Sequence, residues 1–449
     1  VRIVCQTCCG ASRRIAGLRR IEQRRPTGAA GSYESRRLVF HVPRHAGGHP
    51  RLTLALITTA VLGAAVVSGV ASSRPRVAET AVETPVPRPP VQVVQALPEL
   101  TGALDRVSQG ARGFSGAVLV ARGDQVLFRQ VYGMADHAAD RPLGLDSRFR
   151  LASVSKQFTA AAILKLQDDG VLSAYDPLCK WIQPCPAAWA PIRLHHLLAH
   201  TSGVPDLMAR PAWGLQRVTP ATVEELTEDS KRYRLQFPPG SRVRYDNAGY
   251  NLLGSVVGKA SGVPLETYLQ RAFFTPLGMD DTGSDADGRA RDLVTGYAHF
   301  PGGLTAQNQA NVSIVFAAGA LYSTLDDMLV WQRALHHGQV ISPRSYAQMI
   351  ADHAPDSTPK ERGRVRRDWG FGLFTNSLGR QVRPAFEDRQ IYHTGSWSGF
   401  RNLVTYQPDA DVTVIVLSNN YHQRDQVFLI TQQAMAEALG RPFPTTLAR

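Results

Sequence analysis

Lysine is scarce in this chain. Of 50 basic residues only six are lysine, and the first of them is Lys156. Where such a chain keeps a lysine, the site is expected to use what arginine cannot do, which is lose a proton. Acidic residues are nearly missing from the N-terminal part. Residues 1–76 hold 13 arginines, no lysine and two carboxylates (Glu22 and Glu34), which accounts for +11 of the formal net charge of +13. The remaining 373 residues are therefore close to neutral. That excludes a nucleic-acid-binding body, whose electrostatic footprint would lie on the folded domain. With 43% hydrophobic and 19% charged residues, wholesale disorder, collagen and coiled coil are excluded as well.

Cysteine is limited to five. Cys5, Cys8 and Cys9 have no second Cys or His pair at finger spacing, so no zinc site is expected there. Cys179 and Cys185 have five residues between them. They either close a small disulfide loop in an exported body or remain two thiols. His196 and His200 are four apart, a spacing that suits two zinc ligands on a helix, with His195 beside them. No glutamate follows His196 as the zinc-protease motif requires, which leaves a metal enzyme as the weaker alternative. Residues 283–288 (GSDADG) mimic a calcium loop. Gly283 stands where its first Asp is needed and Val294 where its bidentate Glu is needed, so a surface turn is expected.

Charge is also absent from residues 52–70, LTLALITTAVLGAAVVSGV, a stretch long enough to span a bilayer. Eleven arginines precede it, so the positive-inside rule keeps the N-terminus cytoplasmic and exports the body. The alternative is a cleaved signal peptide, with Gly69, Ala71 and Ser73 near a cut. No methionine precedes Met134, and a translation start near Val39 or Val42 is an open expectation. Six prolines between residues 72 and 98 predict an extended spacer. The expected organisation is an arginine-rich extension (1–51), an anchor or signal core (52–71), a linker (72–98) and a catalytic body (99–440).

In the body, two apolar β-rich runs, 115–122 and 125–131, flank the hairpin signal Gly123-Asp124. Helical patterns cover 154–169, closed by Gly170, then 250–260, 265–274 and 325–336. Strands 401–407 and 412–418 and a helix over 426–439 end the chain. Strands at both ends with helices between predict an α+β fold.

Three groups of residues carry the chemistry. In Ser153-Val154-Ser155-Lys156 the hydroxyl and the amine are three apart and share a helix face. A hydroxyl becomes a nucleophile when a neighbour takes its proton, and a buried lysine with a lowered pKa can do so. The apolar run that follows (Phe158, then Ala160 to Leu164) supplies the burial. In Tyr245-Asp246-Asn247 the phenol can relay protons and the amide can bond a substrate; a plain helix start capped by Asn247 is the alternative. In His393-Thr394-Gly395-Ser396 the glycine lets a strand approach a ligand, and the following N–H can serve an oxyanion.

Together, and in this order, these groups resemble the serine β-lactamase and penicillin-binding-protein-like superfamily, in its class C β-lactamase, family VIII esterase and D-aminopeptidase branch. Leu197-Leu198-Ala199-His200-Thr201-Ser202-Gly203, Pro276-Leu277-Gly278-Met279 and Ala318-Gly319-Ala320-Leu321-Tyr322-Ser323-Thr324 are similar to that branch too. The resemblance covers about residues 99–435. It implies a β-lactamase/transpeptidase-like fold: an antiparallel sheet formed from both ends of the domain, flanked by helices, with a mostly helical second region. It implies Ser153 as acylated nucleophile, Lys156 as general base and Tyr245 as proton relay. Asn247 would hold Lys156 or a substrate amide, and His393, Thr394, Gly395 and Ser396 would bind substrate, with the N–H groups of Ser153 and Ser396 as oxyanion donors and His200 structural. No cofactor or metal is implied, and the substrate would be a small molecule or peptidoglycan-like. Two residues depart from the pattern. His393 replaces a permanently charged lysine, which favours esters or amides over carboxylate-bearing substrates. Asp246 replaces a Ser or Ala and is expected to point outward, since a carboxylate turned inward would raise the pKa of Lys156. A D-amino-acid peptidase or carboxypeptidase, or a non-catalytic cell-envelope binding protein on the same fold, is the competing reading.

Overall fold

The computed structural model describes residues 93, 97–110, 112–307, 310–356, 368–376, 382–383, 388–443 and 446–447. The arginine-rich extension and the expected anchor at 52–71 lie outside the described residues, as does nearly all of the linker. Among the described residues, no helix is long and apolar enough to cross a membrane.

Helix α1 (Pro98–Val107) precedes the hairpin β1 (Gly116–Arg122) and β2 (Gln125–Tyr132). A helical stretch follows, containing α2 (Lys156–Asp168), α3 (Ala248–Ser261) and α4 (Leu325–His336). The chain then returns through β3 (Phe374–Asn376), β4 (Gln390–Trp397), β5 (Phe400–Gln407), β6 (Val412–Ser418) and α5 (Arg424–Ala438). The six strands form one antiparallel sheet in the order β3-β4-β5-β6-β1-β2. The C-terminal β6 thus pairs with the N-terminal β1, with Gly116 opposite Ser418 and Leu119 opposite Ile415. The sheet is built from both ends of the domain, as the resemblance implies.

The strands read as continuous apolar runs because both faces are covered. On one face Val118, Val120, Val414 and Val416 pack with Leu100 and Leu104 of α1 and Ile430, Ala434 and Met435 of α5. On the other, Ala117, Leu119, Ile415 and Leu417 join the main core, which contains Phe158, Leu253 and Trp331 of the helical region. α2 has no polar stripe, since it is buried on almost every side from Lys156 to Leu164. Its end has Gly170 in the left-handed region at φ 72°, the expected C-cap.

Two expectations change. The stretch 265–274 is an α-helix only over Leu265–Leu269 and widens to a π-turn over Gln270–Phe274. The 283–288 turn is not a plain surface feature: Gly283–Ser284 pairs with Leu321–Ser323, and buried Asp285 accepts from Arg150 at 2.6 Å. Cys179 and Cys185 form a disulfide with their Cα atoms 5.4 Å apart, which settles the pairing the spacing left open.

Candidate active site

Ser153 sits in a 3-10 turn, Ala152–Ser155, that runs into α2, so α-helical bonding starts at Lys156 and not at 154. A 3-10 turn has three residues per turn and keeps Ser153 over Lys156. Ala152 is held at φ 51°, a conformation that costs an alanine roughly 1–2 kcal/mol. The surroundings impose it. Leu151 N–H donates to Leu321 O (2.8 Å), Asn402 Nδ2 donates to Leu151 O (3.1 Å), and Leu321 N–H donates to Ser155 Oγ (3.2 Å).

The other side of the turn is β4. Its pairing with β3 stops at Tyr392, and beyond that point it passes the serine turn. A Cβ on residue 395 would lie 2.2 Å from Leu151 O. Gly395 therefore permits a close approach, but to the protein's own serine-bearing turn and not to a ligand, as the sequence had suggested.

Lys156 is fully buried. Its Nζ lies 3.3 Å from Ser153 Oγ and donates to Asn247 Oδ1 (2.8 Å) and Ala318 O (2.7 Å). The Tyr245 ring centroid is 4.9 Å from Nζ and that of Tyr250 is 5.3 Å. Burial pushes the amine down to about 7, against the opposing pull of Asp206 and Asp246.

Asn247 occupies the N-cap of α3 but makes no cap bond. Its side chain is committed to Lys156 and to Asp206. Asp246 caps instead, accepting the Gly249 N–H; a Cβ on residue 249 would sit 2.8 Å from its Oδ1. This corrects the expectation for Asp246. It does not point outward but is buried, because the orphan N–H groups of a buried helix start need an acceptor. Burial pushes its carboxyl up to about 7, and the Gly249 N–H, Lys156 and Arg210 pull the other way. His200 packs beneath, its Nδ1 accepting the Asp246 N–H at 3.2 Å. Burial and Lys156 hold this imidazole well below its ordinary pKa, so it is neutral.

A family model described as Beta-lactamase matches residues 92–437. The chain belongs to the Beta-lactamase family. Penicillin-binding protein 4* of Bacillus subtilis is 28% identical, over 74% of this chain and 73% of its own length. Esterase EstB of Burkholderia gladioli is 29% identical, over 62% of this chain and 79% of its own. Among solved structures, an octameric penicillin-binding protein homologue from Pyrococcus abyssi superposes with a TM-score of 0.66 at 25% identity, covering 78% of each chain.

In this member of the Beta-lactamase family, Ser153, Lys156, Tyr245 and Asn247 come together as the sequence predicts. His393 joins them: its ring centroid is 6.4 Å from that of Tyr245, it stacks on Phe374, and its Nδ1 bonds Thr394 O at 2.7 Å. Thr394 and Ser396 alternate with His393 and Gly395 along β4, so their side chains take the opposite strand face. The zinc alternative loses its ligands. His196 Nδ1 accepts the Arg193 N–H and His200 Nδ1 that of Asp246; among the described residues no His, Cys, Asp and Glu group could hold a metal.

Sequence reasoning missed three contributors. Ala318 lies in a recognised motif, yet its role here is a backbone carbonyl, which side-chain identity does not reveal. Asp206 follows Pro205 in an apolar stretch, and a carboxylate between Val204 and Leu207 was the available signal. The third is an apolar wall beside the serine turn. Ala152, Ile314, Val315 and Trp397 cluster there with Met208 and Trp213 against them, the two tryptophan rings 5.9 Å apart. A cavity of about 420 Å³ is lined in part by Trp213, Ala248, Asn251 and Ile314, but not by Ser153. The candidate chemistry is therefore located by side-chain geometry and not by cavity size.

Proposed function

We propose that this chain is an exported serine hydrolase that cleaves an ester or amide through an acyl-enzyme on Ser153. The hydrogen bonding of Lys156 carries the reading. A neutral amine has two N–H donors and one lone pair. Asn247 Oδ1 and Ala318 O are acceptors only and take both donors. The remaining direction is that of Ser153 Oγ at 3.3 Å, where the lone pair can accept the serine proton. An amine with a pKa of about 7 is substantially unprotonated at neutral pH, as a general base needs to be.

The steps follow. Ser153 Oγ attacks the substrate carbonyl carbon while its proton passes to Lys156 Nζ. The N–H groups of Ser153 and Ser396 stabilise the oxyanion. The bond to the leaving oxygen or nitrogen breaks, its electron pair stays on that atom, and the proton reaches it through Tyr245. Water then attacks the acyl-enzyme by the same proton route, releasing the acid and restoring the serine. An imidazole at position 393 in place of a permanently charged lysine supports substrates without a carboxylate handle. The Trp213 and Trp397 wall supports an apolar acyl group. The arginine-rich start, the apolar stretch 52–70 and the Cys179–Cys185 disulfide together support export to an oxidising compartment.

The test is turnover of a short-chain p-nitrophenyl ester, a chromogenic cephalosporin and a D-amino-acid anilide by the full chain and by Ser153→Ala. Ester or anilide turnover that falls by at least about 10³-fold in a folded Ser153→Ala variant is expected. Undiminished turnover in that variant would refute the assignment, and turnover of the cephalosporin alone would refute the preference for substrates without a carboxylate handle.

A further inference from the structure

Asp206 has no part in the steps above, yet it grips the residue that grips the lysine. One of its oxygens, Oδ1, accepts two bonds from Asn247: the backbone N–H at 2.8 Å and the side-chain Nδ2 at 3.0 Å. A carboxylate can only accept. The amide must therefore turn its NH₂ to Asp206 and its carbonyl oxygen to Lys156, the orientation in which Oδ1 lies 2.8 Å from Nζ. The flipped amide would set its NH₂ against the amine donors and its oxygen against the carboxylate. The backbone bond also pins the entrance of α3, so the amide cannot relax by moving away.

We propose that Asp206 is a positioning residue of the hydrolase site, one that locks the Asn247 amide and through it aims the Lys156 lone pair at Ser153. The inference rests on the roles given above to Ser153 and Lys156. Asp206 has a second, electrostatic effect. The groups facing Lys156 are Asp206 from the loop before α3, Asp246 and Tyr245 from the segment entering it, Tyr250 from its first turns and neutral His200 from below. Of the two carboxylates that favour the ammonium form, Asp206 is the stronger. Removing it should thus loosen the aim of the amine and make it easier to deprotonate. A residue with a merely structural role would not do the second.

The experiment measures kcat/KM of the full chain against pH with p-nitrophenyl butyrate, for wild type, Asp206→Asn, Asp206→Ser and Asp206→Glu. The limbs are read on whichever of the Asn and Ser variants keeps the wild-type circular dichroism. The plateau is expected to fall by about 10–100-fold, as when a group that orients a functional ligand is removed. The acid limb should move down by about one pH unit. Asp206→Glu, which keeps the charge, should hold the limb near its wild-type position. A folded variant with wild-type plateau and limb overturns the inference while leaving the hydrolase reading intact. Wild-type protein without Ser153-dependent turnover overturns the hydrolase reading itself.

Discussion

The pH dependence of turnover tests the base most directly. An ordinary lysine titrates near 10.4, so at pH 7 only about 0.04% of it is neutral. Burial brings Lys156 to about 7, which makes roughly half of it neutral at that pH, a gain on the order of 10³-fold in free base. kcat/KM should therefore rise about tenfold per pH unit below 7, bend near 7 and level off above 8. The assay is the initial rate of p-nitrophenyl butyrate hydrolysis from pH 5 to 9, read at the nitrophenol isosbestic wavelength and corrected for spontaneous hydrolysis. Lys156→Arg completes it. A guanidinium keeps the charge and cannot surrender its proton. That variant should lose at least about 10³-fold at every pH. A rate still climbing about tenfold per unit between pH 8 and 9, or an arginine variant that retains activity, would refute the assignment of Lys156 as base.

Two further outcomes follow from the packing. Gly395→Ala sets a Cβ 2.2 Å from Leu151 O; it should cost about 1–3 kcal/mol in urea unfolding and lower turnover by displacing the serine turn, whereas wild-type values for both would contradict the tight approach. Asp246→Asn tests the buried carboxyl. Its folded-state pKa of about 7 lies above that of the unfolded chain, so between about pH 4 and 7 the native state binds more protons and stability falls as pH rises. The asparagine variant lacks this loss, and its melting temperature should gain on wild type from pH 4 to pH 8; a constant difference would contradict burial of the charge. Lys156, lowered by burial, works in the opposite direction, adding stability from about pH 7 upward in both proteins.

The family and the meeting of Ser153 with Lys156 were legible in the residues because they depend on short-range patterns. Ser153 and Lys156 meet through local helical spacing alone. The helix at Leu325–His336 and the strand Val412–Ser418 fall where the apolar patterns put them, since long periodic runs and turn residues act within a few positions. The burial of α2, which lowers the amine, was written in its unbroken run of small and apolar side chains.

What remained hidden depends on contacts between residues far apart in sequence. Asp206 and Asn247 are 41 residues apart, and Lys156 and Ala318 are 162. No periodicity encodes which carbonyl meets the amine. Gly395 carried a signal of close approach, but only the packing of β4 on the serine turn decided what it approaches. Asp246 follows the same rule: from its own neighbours a carboxylate belongs in water, and only the folded site, with His200 beneath it and helix N–H groups above it, turns it inward. The sequence determined which groups could react, and the tertiary structure decided their protonation and aim, because desolvation and hydrogen-bond orientation exist only once distant segments have closed around them.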